Sequence, residues 1–326
     1  MVSKIKPQIN FLFPIQDLLS QVENRMRSEA EDRNSNLTLA LSHLIAAGGK
    51  RIRPAVALLI GKMLDADESA LITLAAAIEL LHTATLVHDD LIDGALFRRG
   101  NATLNAQWTP AATVLTGDYI FSRAAVLAAE TNSVKVMRLF SETLSIIVNG
   151  EINQLFEKKC TTDRTSYEER IYAKTASLFE TAAKSAAILS SVEDQVISQM
   201  GLFGRNLGMA FQIVDDILDF TGESATVGKP VGSDLRQGII TLPVIIYSEM
   251  NPEDPVIDQL VNNNVYGQEL VDEIINKVQT SGAIHHAQDE AARFVRSSRE
   301  LLSNYPDCEA KFALCELASY LVSRRL

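Results

Sequence analysis

The chain has 326 residues, of which 47% are hydrophobic, and its formal net charge at pH 7 is −11. This is enough apolar material for the core of one large domain or two ordinary ones, and the acidic balance argues against nucleic acid or an anionic membrane surface as the main partner. The three cysteines form no Cys-x-x-Cys pair, which argues against a disulfide framework or a zinc site. The N-terminus lacks a signal-peptide pattern and no uninterrupted apolar run reaches about 18 residues, so we expect a cytoplasmic enzyme without a membrane span.

Long stretches without proline carry apolar residues at helical spacing. No proline occurs between Pro54 and Pro110, or between Pro110 and Pro230, and the apolar residues in these stretches recur three or four positions apart. Alanine, leucine and glutamate are plentiful, and strand-like alternation is absent. The pattern predicts an all-α fold in which residues 1–326 form a single large helical bundle, with the helices of residues 250–326 packed on its core.

The first chemically informative segment is residues 48–54, which read GGKRIRP. The glycine pair predicts the end of one helix, and Pro54 predicts the beginning of the next. Lys and Arg side chains bind phosphate oxygens, and the N-terminus of a helix adds a favourable dipole. The segment therefore predicts a site for phosphate groups at this helix entrance.

Two acidic clusters of the same form follow apolar helical stretches, at residues 89–93 (DDLID) and 215–219 (DDILD). Positions i and i+4 share a helix face, so the first and last aspartates of each cluster point the same way. Hard oxygen ligands on rigid helices suit Mg²⁺, which bridges carboxylates to phosphates. One copy also fits a solvated helix face, but two copies embedded in apolar residues favour a functional site. We expect the clusters to face each other within one bundle.

Basic residues flank both clusters. Arg98 and Arg99 lie in a polar loop after the first cluster, Lys174 lies within a predicted helix, and Lys229 lies in the loop after the second cluster. Each alone fits a solvated surface charge, but beside two magnesium-type clusters they describe a pocket for diphosphate groups. His82 stands two helical turns before the first cluster on the same face, which favours a role in this pocket over that of an ordinary core histidine.

Several segments together carry a resemblance to a known family. They are GGKRIRP (48–54), HTATLVHDDLIDGALFRRG (82–100), KTASLF (174–179), FQIVDDILDFTG (211–222) and GKPVGSDLRQGIITLP (228–243). In their order and spacing, over residues 40–245, the chain resembles the trans-isoprenyl diphosphate synthases, and specifically their longer-chain polyprenyl members. The resemblance implies an isoprenoid synthase type of helical bundle around a central cavity. It also implies a prenyltransferase that condenses isopentenyl diphosphate head-to-tail with an allylic diphosphate.

The resemblance implies a role for individual residues. The residues that would bind isopentenyl diphosphate are Lys50, Arg53, His82 and Arg99. Those that would contact the allylic diphosphate are Arg98, Lys174, Thr175, Gln212 and Lys229. Magnesium, as three ions with substrate bound, would be held by Asp89, Asp93, Asp215 and Asp219, with Asp90 and Asp216 in support. The residues that would carry catalysis are Asp89, Asp93, Asp215 and Lys174.

The chemistry implied by the resemblance needs no protein nucleophile. Magnesium and basic side chains neutralise the leaving diphosphate, so that the allylic C–O bond ionises to a carbocation. Apolar helix walls keep water from the cation. The double bond of isopentenyl diphosphate attacks it, and the released diphosphate is the expected acceptor of the proton that is then lost.

The residues one turn deeper than the first cluster bear on product length. Ala84 and Thr85 occupy the positions where short-chain relatives place an aromatic ring, and the next turns offer Leu81 and Ile78, which lack rings. An open passage at this depth predicts a product of roughly six to ten isoprene units, since a ring there would overpack the passage. A chain of that length would suit a quinone side tail.

The resemblance further implies an oligomer, with an interface along long helices. The apolar surplus of residues 111–150 supports this expectation. A homodimer is the first expectation, and a heterodimer with a small regulatory subunit is the alternative.

Other functions compete with a long-chain synthase. A short-chain farnesyl or geranylgeranyl diphosphate synthase remains open if the passage closes. A class I terpene cyclase pairs DDxxD with a second motif of Asn, Ser and Glu, and does not need the segment GGKRIRP. A non-catalytic regulatory subunit would have lost the aspartates. A di-iron bundle needs Glu-x-x-His pairs, and the sequence has none.

Overall fold

The computed structural model describes residues 10–29, 34–46, 48–98, 100–156, 162–221, 231–262 and 267–323. Almost all regular structure in these ranges is helical. The strands within them are two-residue segments, β1 (Phe97–Arg98) and β2 (Asn101–Ala102), which pair antiparallel in the loop predicted after the first acidic cluster. The prediction of an all-α fold is therefore confirmed.

The helices follow one another with short connections. In the first half they are a 3-10 helix (Asn10–Ile15), α1 (Gln16–Ser28), α2 (Ser35–Ala46), α3 (Ile52–Met63), α4 (Glu68–Ile92), α5 (Leu104–Gln107), α6 (Pro110–Glu130) and α7 (Val134–Phe156). In the second half they are α8 (Arg164–Ile171), a π-helical turn (Tyr172–Ala176), α9 (Ser177–Leu189), α10 (Asp194–Thr221), α11 (Ser233–Arg236), α12 (Leu242–Met250), α13 (Pro255–Asn262), α14 (Gln268–Thr280), α15 (Ala283–Leu301) and α16 (Glu309–Ser323).

The helix α4 lies at the centre of the bundle and ends at the first acidic cluster. The carboxylate of Asp67 caps its beginning by accepting a 2.8 Å hydrogen bond from the N–H of Ala70. The helix contains no glycine or proline, and it packs against α1, α3, α6 and α9. By length and hydropathy α4 could cross a membrane, but 67% of its most apolar window is buried inside the protein, as in the core helix of a globular fold.

The helix α10 carries the second acidic cluster and approaches α9 closely. A Cβ atom added at Gly204 would collide with the backbone of Phe179, and one added at Gly208 would collide with Ala176. Glycine at these positions therefore lets the two helices pack at short range. As a result, the last turns of α10 lie beside the π-helical turn Tyr172–Ala176.

The π-helical turn departs from the ordinary helix that the sequence predicts around Lys174. A π turn contains an extra residue and is frequent at functional sites. In this turn Lys174 is exposed, whereas the adjacent Thr175 is buried. The irregular turn thus presents one side chain to the outside of the bundle and the next to its interior.

Candidate active site

A cavity of about 580 Å³ lies between the ends of α4 and α10 and the beginning of α3. Several residues predicted for the site line it: Lys50, Arg53, His82, Asp90, Arg98 and Asp215. The cavity therefore brings together the basic segment before α3 and members of both acidic clusters. Further polar residues that the sequence did not single out also line it, namely His43, Arg51 and Glu79.

The first acidic cluster divides into two faces. α4 ends at Ile92, and the N–H of Asp93 still bonds to the carbonyl O of Asp89 at 2.8 Å, so these two aspartates keep the predicted i, i+4 relation. Asp90 is buried on another face, where its Oδ1 accepts a 2.7 Å hydrogen bond from Nε of Arg98. The buried carboxylate therefore holds Arg98 at the cavity wall.

Lys174 lies between two carboxylates. Its Nζ atom is 2.9 Å from Oε1 of Glu151 on α7 and 4.0 Å from Oδ2 of Asp89. Burial raises the pKa of Asp89 to about 6, although Lys174 acts in the opposite direction. Burial also opposes the charge on Lys174, but the two carboxylates outweigh it and raise the pKa of the amine. Lys174 therefore remains a cation beside the first cluster.

Glu151 is a site residue that the sequence reasoning missed. It stands on α7, and a Cβ atom added at the preceding Gly150 would lie 2.6 Å from Cβ of Ala173, so α7 and the π-helical turn are in close contact here. The signal in the sequence was the pair Gly150-Glu151 within an otherwise apolar helix, which by itself fits an ordinary surface position.

A buried hydrogen-bond chain runs from the π-helical turn to the second cluster. Oγ1 of Thr175 donates to Oε1 of Gln212 at 2.6 Å, and Nε2 of Gln212 donates to Oδ1 of Asp216 at 2.9 Å. The hydroxyl of Tyr167 donates to the other oxygen of Asp216 at 2.7 Å. Burial raises the pKa of Asp216 to about 7, although both donors act in the opposite direction. Asp216 thus orders the interior of the site, while its neighbour Asp215 lines the cavity.

Asp219 caps the short helix that follows the second cluster. Its carboxylate accepts hydrogen bonds from the backbone N–H groups of Ser233 at 3.0 Å and Asp234 at 3.1 Å. The backbone O of Asp219 also accepts from the N–H of Gly232 at 2.8 Å. A carboxylate has about four lone-pair sites, so these contacts leave acceptor capacity for a cation.

Aromatic rings hold the two basic residues of the segment before α3. The guanidinium carbon of Arg53 lies 4.7 Å from the ring centroid of Phe179 and 5.9 Å from that of Phe211. The Nζ atom of Lys50 lies 5.2 Å from the ring centroid of Tyr320 on α16. Such cation–π contacts orient a basic side chain without neutralising its charge. Phe179 and Phe211 belong to the quoted motifs, whereas Tyr320 lies where only helical character was recognised.

Two histidines near the cavity contact the backbone of neighbouring segments. Nε2 of His43 lies 3.2 Å from the carbonyl O of Ala102 and so joins α2 to the hairpin that carries Arg98. Nε2 of His88 lies 3.3 Å from the carbonyl O of Val114 on α6. The sequence gave weak support for a role of His88 and none for His43. These contacts assign both to the support of the site.

A family model described as polyprenyl synthetase matches residues 34–278 of this chain. The chain belongs to the polyprenyl synthetase family. Heptaprenyl diphosphate synthase component 2 of Bacillus subtilis is 34% identical over 323 residues, covering 99% of this chain and 91% of that protein. Octaprenyl diphosphate synthase of Escherichia coli is 35% identical over 286 residues, covering 86% of this chain and 88% of that protein. The resemblance seen in the motifs is therefore confirmed.

Solved structures agree with the family membership. A polyprenyl synthase from Caulobacter crescentus, complexed with calcium and isoprenyl diphosphate, has a TM-score of 0.89 and 32% identity, covering 97% of this chain and 98% of that one. A heptaprenyl diphosphate synthase from Staphylococcus aureus has a TM-score of 0.89 and 32% identity, covering 95% of this chain and 98% of that one. The fold of this polyprenyl synthetase is therefore that of its solved relatives.

The residues of this polyprenyl synthetase fit a divalent cation that is completed by its ligand. In the described part of the chain, no three His, Cys, Asp or Glu side chains already stand close enough to hold a metal ion. The donors at the cavity are carboxylate oxygens, as Mg²⁺ prefers. Asp89 is a largely buried carboxylate whose charged form is disfavoured by burial, so a nearby cation would stabilise it. The arrangement fits an ion shared between carboxylates and diphosphate oxygens.

The other predicted residues divide into two groups. Arg99 and Lys229 lie outside the described residues. The residues predicted to bear on product length lie within α4: Ile78, Leu81 and Ala84 are buried, and Thr85 is half-buried and donates to the carbonyl O of His82 at 2.8 Å. None of these four lines the described cavity. Their role in product length stays a prediction.

Proposed function

We propose that this polyprenyl synthetase is a long-chain polyprenyl diphosphate synthase. It joins isopentenyl diphosphate head-to-tail to an allylic diphosphate and repeats the addition to an all-trans product. The observation that carries the proposal is the single cavity lined by Lys50, Arg53 and His82 together with Asp215 of the second acidic cluster. Relatives named heptaprenyl and octaprenyl diphosphate synthase, matched over most of this chain, favour the long-chain activity over a short-chain synthase.

The two substrates occupy two diphosphate sites. Isopentenyl diphosphate binds at Lys50, Arg53 and His82, and also at Arg99. The support is the clustering of the first three residues on one cavity wall and the aromatic rings that orient the two basic side chains. The allylic diphosphate binds on the side of the first acidic cluster and the π-helical turn, at Arg98, Lys174, Thr175, Gln212 and Lys229.

The four aspartates at the ends of the two clusters, Asp89, Asp93, Asp215 and Asp219, hold Mg²⁺, as three ions when substrate is bound. Magnesium supplies neutralisation of the negative charge on the leaving diphosphate. The protein contributes Lys174, which remains protonated beside Asp89, and the buried chain through Gln212 and Asp216, which fixes the position of α10 at the site. A calcium ion with isoprenyl diphosphate in the relative from Caulobacter crescentus supports a divalent cation.

The allylic C–O bond ionises while the leaving diphosphate is held by cations, and the double bond of isopentenyl diphosphate attacks the resulting carbocation. The apolar side chains of the bundle exclude water from this cation. The released diphosphate takes the proton lost from the new C–C bond, which restores an allylic diphosphate for the next addition. A product of roughly six to ten units, as the lack of a ring at Ala84 and Thr85 favours, suits a quinone side chain.

We also propose that the active form is a homodimer in which α6 and α7 of two copies meet. These helices expose large apolar side chains, among them Leu115, Val148, Ile152 and, with 85% of its surface exposed, Phe156. Such a group of exposed apolar residues favours a protein interface. The name of the relative from Bacillus subtilis, a component 2, keeps a heterodimer with a small subunit as the second candidate. Light scattering combined with an activity assay decides between them, and a monomer that elongates normally contradicts both.

The experiment that tests the proposed function uses the purified full-length chain, Mg²⁺, farnesyl diphosphate and labelled isopentenyl diphosphate. The expected products are labelled prenyl diphosphates that become extractable alcohols only after phosphatase treatment. Hydrocarbon or alcohol formed without phosphatase would indicate a class I terpene cyclase. A lack of label incorporation by the chain, alone and with a small partner subunit, would contradict the synthase activity.

A further inference from the structure

Arg51 stands between two residues assigned to isopentenyl diphosphate, yet its side chain is engaged with the protein. Its Nη1 donates to Oε1 of Glu79 on α4 at 2.7 Å, and its Nε donates to Oε1 of Glu23 on α1 at 3.1 Å. Its Nη2 donates to the carbonyl O of Ile45 on α2 at 3.0 Å. Only 11% of the Arg51 side chain and 6% of the Glu79 side chain is exposed. One guanidinium therefore ties three helices to the beginning of α3.

The charge of Arg51 is balanced by protein groups. Burial opposes the charged form, but Glu79 and Glu23 outweigh burial and raise the pKa of Arg51. A guanidinium paired in this way adds little positive potential to the cavity. Attraction of a diphosphate is therefore left to its neighbours Lys50 and Arg53, whose described contacts include aromatic rings that do not neutralise them.

The backbone at Arg51 explains why such an anchor is needed. Its φ of 47° and ψ of 36° are left-handed, a conformation that residues with a Cβ atom rarely adopt. Gly48, three residues earlier, is also left-handed, with a φ of 68°. The chain thus makes a tight turn just before α3, and the hydrogen bonds of the Arg51 side chain offset the unfavourable backbone conformation.

We infer that Arg51, held by Glu79, is a positioning residue that fixes this turn and thereby presents Lys50 and Arg53 to the diphosphate of isopentenyl diphosphate, without touching the substrate itself. The inference rests on the proposed function for the identity of that ligand. It separates the three basic residues of the GGKRIRP segment into two that bind and one that holds them in place.

The substitution Glu79→Gln gives the sharpest test, because the two roles open to Arg51 predict opposite results. If Arg51 bound the diphosphate directly, removal of the negative charge of Glu79 from the cavity would tighten the binding of isopentenyl diphosphate. If Arg51 is a positioning residue, the loss of its buried anchor loosens the turn. We expect the Kd and the KM for isopentenyl diphosphate to rise by about tenfold, as for other changes that weaken a buried charged pair.

Arg51→Lys tests the geometry of the anchor. Lysine keeps the charge but lacks the planar fork that reaches three acceptors at once. We expect a rise in the KM for isopentenyl diphosphate similar to that of Glu79→Gln, with the KM for the allylic substrate and kcat changed by less than about threefold. Glu23→Gln, which alters the more exposed partner of Arg51, is expected to show the same split to a smaller degree.

A matched control comes from another arginine that is paired with a buried glutamate. Nε of Arg123 on α6 donates to Oε2 of Glu29 at 2.8 Å, beyond the end of α1 and outside the set of residues that line the cavity. Arg123→Lys removes the same fork geometry there. We expect this variant to lower the melting temperature while both KM values stay unchanged.

The measurements are isothermal titration calorimetry with isopentenyl diphosphate and steady-state kinetics with each substrate varied, on the full chain with Mg²⁺. A rise confined to isopentenyl diphosphate in Arg51→Lys and Glu79→Gln supports the inference, and Glu23→Gln provides the same test if Glu79→Gln does not fold. Tighter binding in Glu79→Gln, or an equal effect on both substrates, overturns it. Failure of the unmodified protein to elongate any prenyl chain would instead contradict the proposed function.

Discussion

The Nζ atom of Lys174 lies 2.9 Å from Oε1 of Glu151, which joins the π-helical turn to α7 beside the first acidic cluster. The same amine is 4.0 Å from Oδ2 of Asp89. One lysine is therefore shared by two carboxylates, and the charge on each carboxylate affects the protonation of the other. This relation makes the properties of Asp89 sensitive to a residue on a different helix.

Glu151→Gln should lower the pKa of Asp89 in the metal-free protein. In the unmodified protein the pKa of Asp89 is raised to about 6, first by burial, with Glu151 adding to the rise and Lys174 opposing it. The substitution removes the repulsion from Glu151 and leaves Lys174 to act on Asp89 alone. Carbon-detected NMR titration of the aspartate carboxyls in EDTA measures the shift, and Glu142→Gln on the same helix serves as the control. An unchanged or higher pKa of Asp89 would contradict the shared-lysine arrangement.

Asparagine at Asp89, Asp93 or Asp215 should reduce turnover at least about 10²-fold, a typical cost of removing electrostatic stabilisation from a transition state. The amide keeps the shape of the side chain but lacks the anionic oxygens that hold Mg²⁺. Activity of the unmodified enzyme should also vanish in EDTA and return with Mg²⁺. Asp118→Asn, at an exposed position of α6, is the control and should retain most activity. Full turnover in EDTA would rule out the metal-dependent mechanism.

Arg53→Ala should raise the KM for isopentenyl diphosphate more than the KM for the allylic substrate. Its guanidinium lines the cavity and is oriented by the rings of Phe179 and Phe211. The loss of a desolvated Arg–phosphate contact costs a few kcal/mol, or roughly a hundredfold in binding. Initial rates with each substrate varied in turn provide the measurement, and Lys62→Ala near the end of α3 is the control. Equal effects on both substrates would argue against two separate diphosphate sites.

How far the sequence predicts this molecule depends on the distance between the interacting residues. The i, i+4 spacing within residues 89–93 predicts that Asp89 and Asp93 share a face, and α4 extends far enough to preserve that relation. Proline-free stretches likewise predict the long helices. These features depend on neighbours within a few positions, which helical periodicity encodes directly.

Contacts between distant segments could not be predicted in this way. Glu151 meets Lys174 across 23 positions, and Arg51 meets Glu79 across 28. Neither glutamate belongs to a pattern that distinguishes it from a solvated charge. The π-helical form of Tyr172–Ala176 also escaped the sequence, because its apolar spacing fits an ordinary helix over so few residues. Tertiary packing decides each of these features.

Asp254→Asn should remove an acid-sensitive contribution to stability outside the active site. Hydrogen bonds from Lys277 and Tyr247, and then from the backbone of Val256, lower the pKa of Asp254 to about 2. Because the folded-state pKa lies below the value near 4 of an unfolded chain, the contribution is fully present above about pH 4 and is lost as the pH falls toward 2. Melting temperatures between pH 2 and 7 test this. The difference between Asp254→Asn and the unmodified protein should shrink across that window, and a constant difference would contradict it.

Ala84→Phe should shorten the product without abolishing catalysis. A ring at this buried position, one turn below the first cluster, would fill the passage proposed for the growing chain. We expect products of about three to four units, because the chain would meet the ring soon after the first additions. Chromatography of the dephosphorylated products provides the lengths. Ala77→Phe, also buried in α4, is the control for overpacking, since it should cost stability without setting a new product length. An unchanged product distribution in Ala84→Phe would remove this position from the passage.

The most direct measurement is the length of the product made by the unmodified enzyme. The full chain is incubated with Mg²⁺, farnesyl diphosphate and labelled isopentenyl diphosphate, and the dephosphorylated chains are sized against standards. A long-chain synthase with an open passage below Asp89 should give chains of roughly six to ten units. Products that stop at about three or four units would contradict the open passage and identify a short-chain synthase.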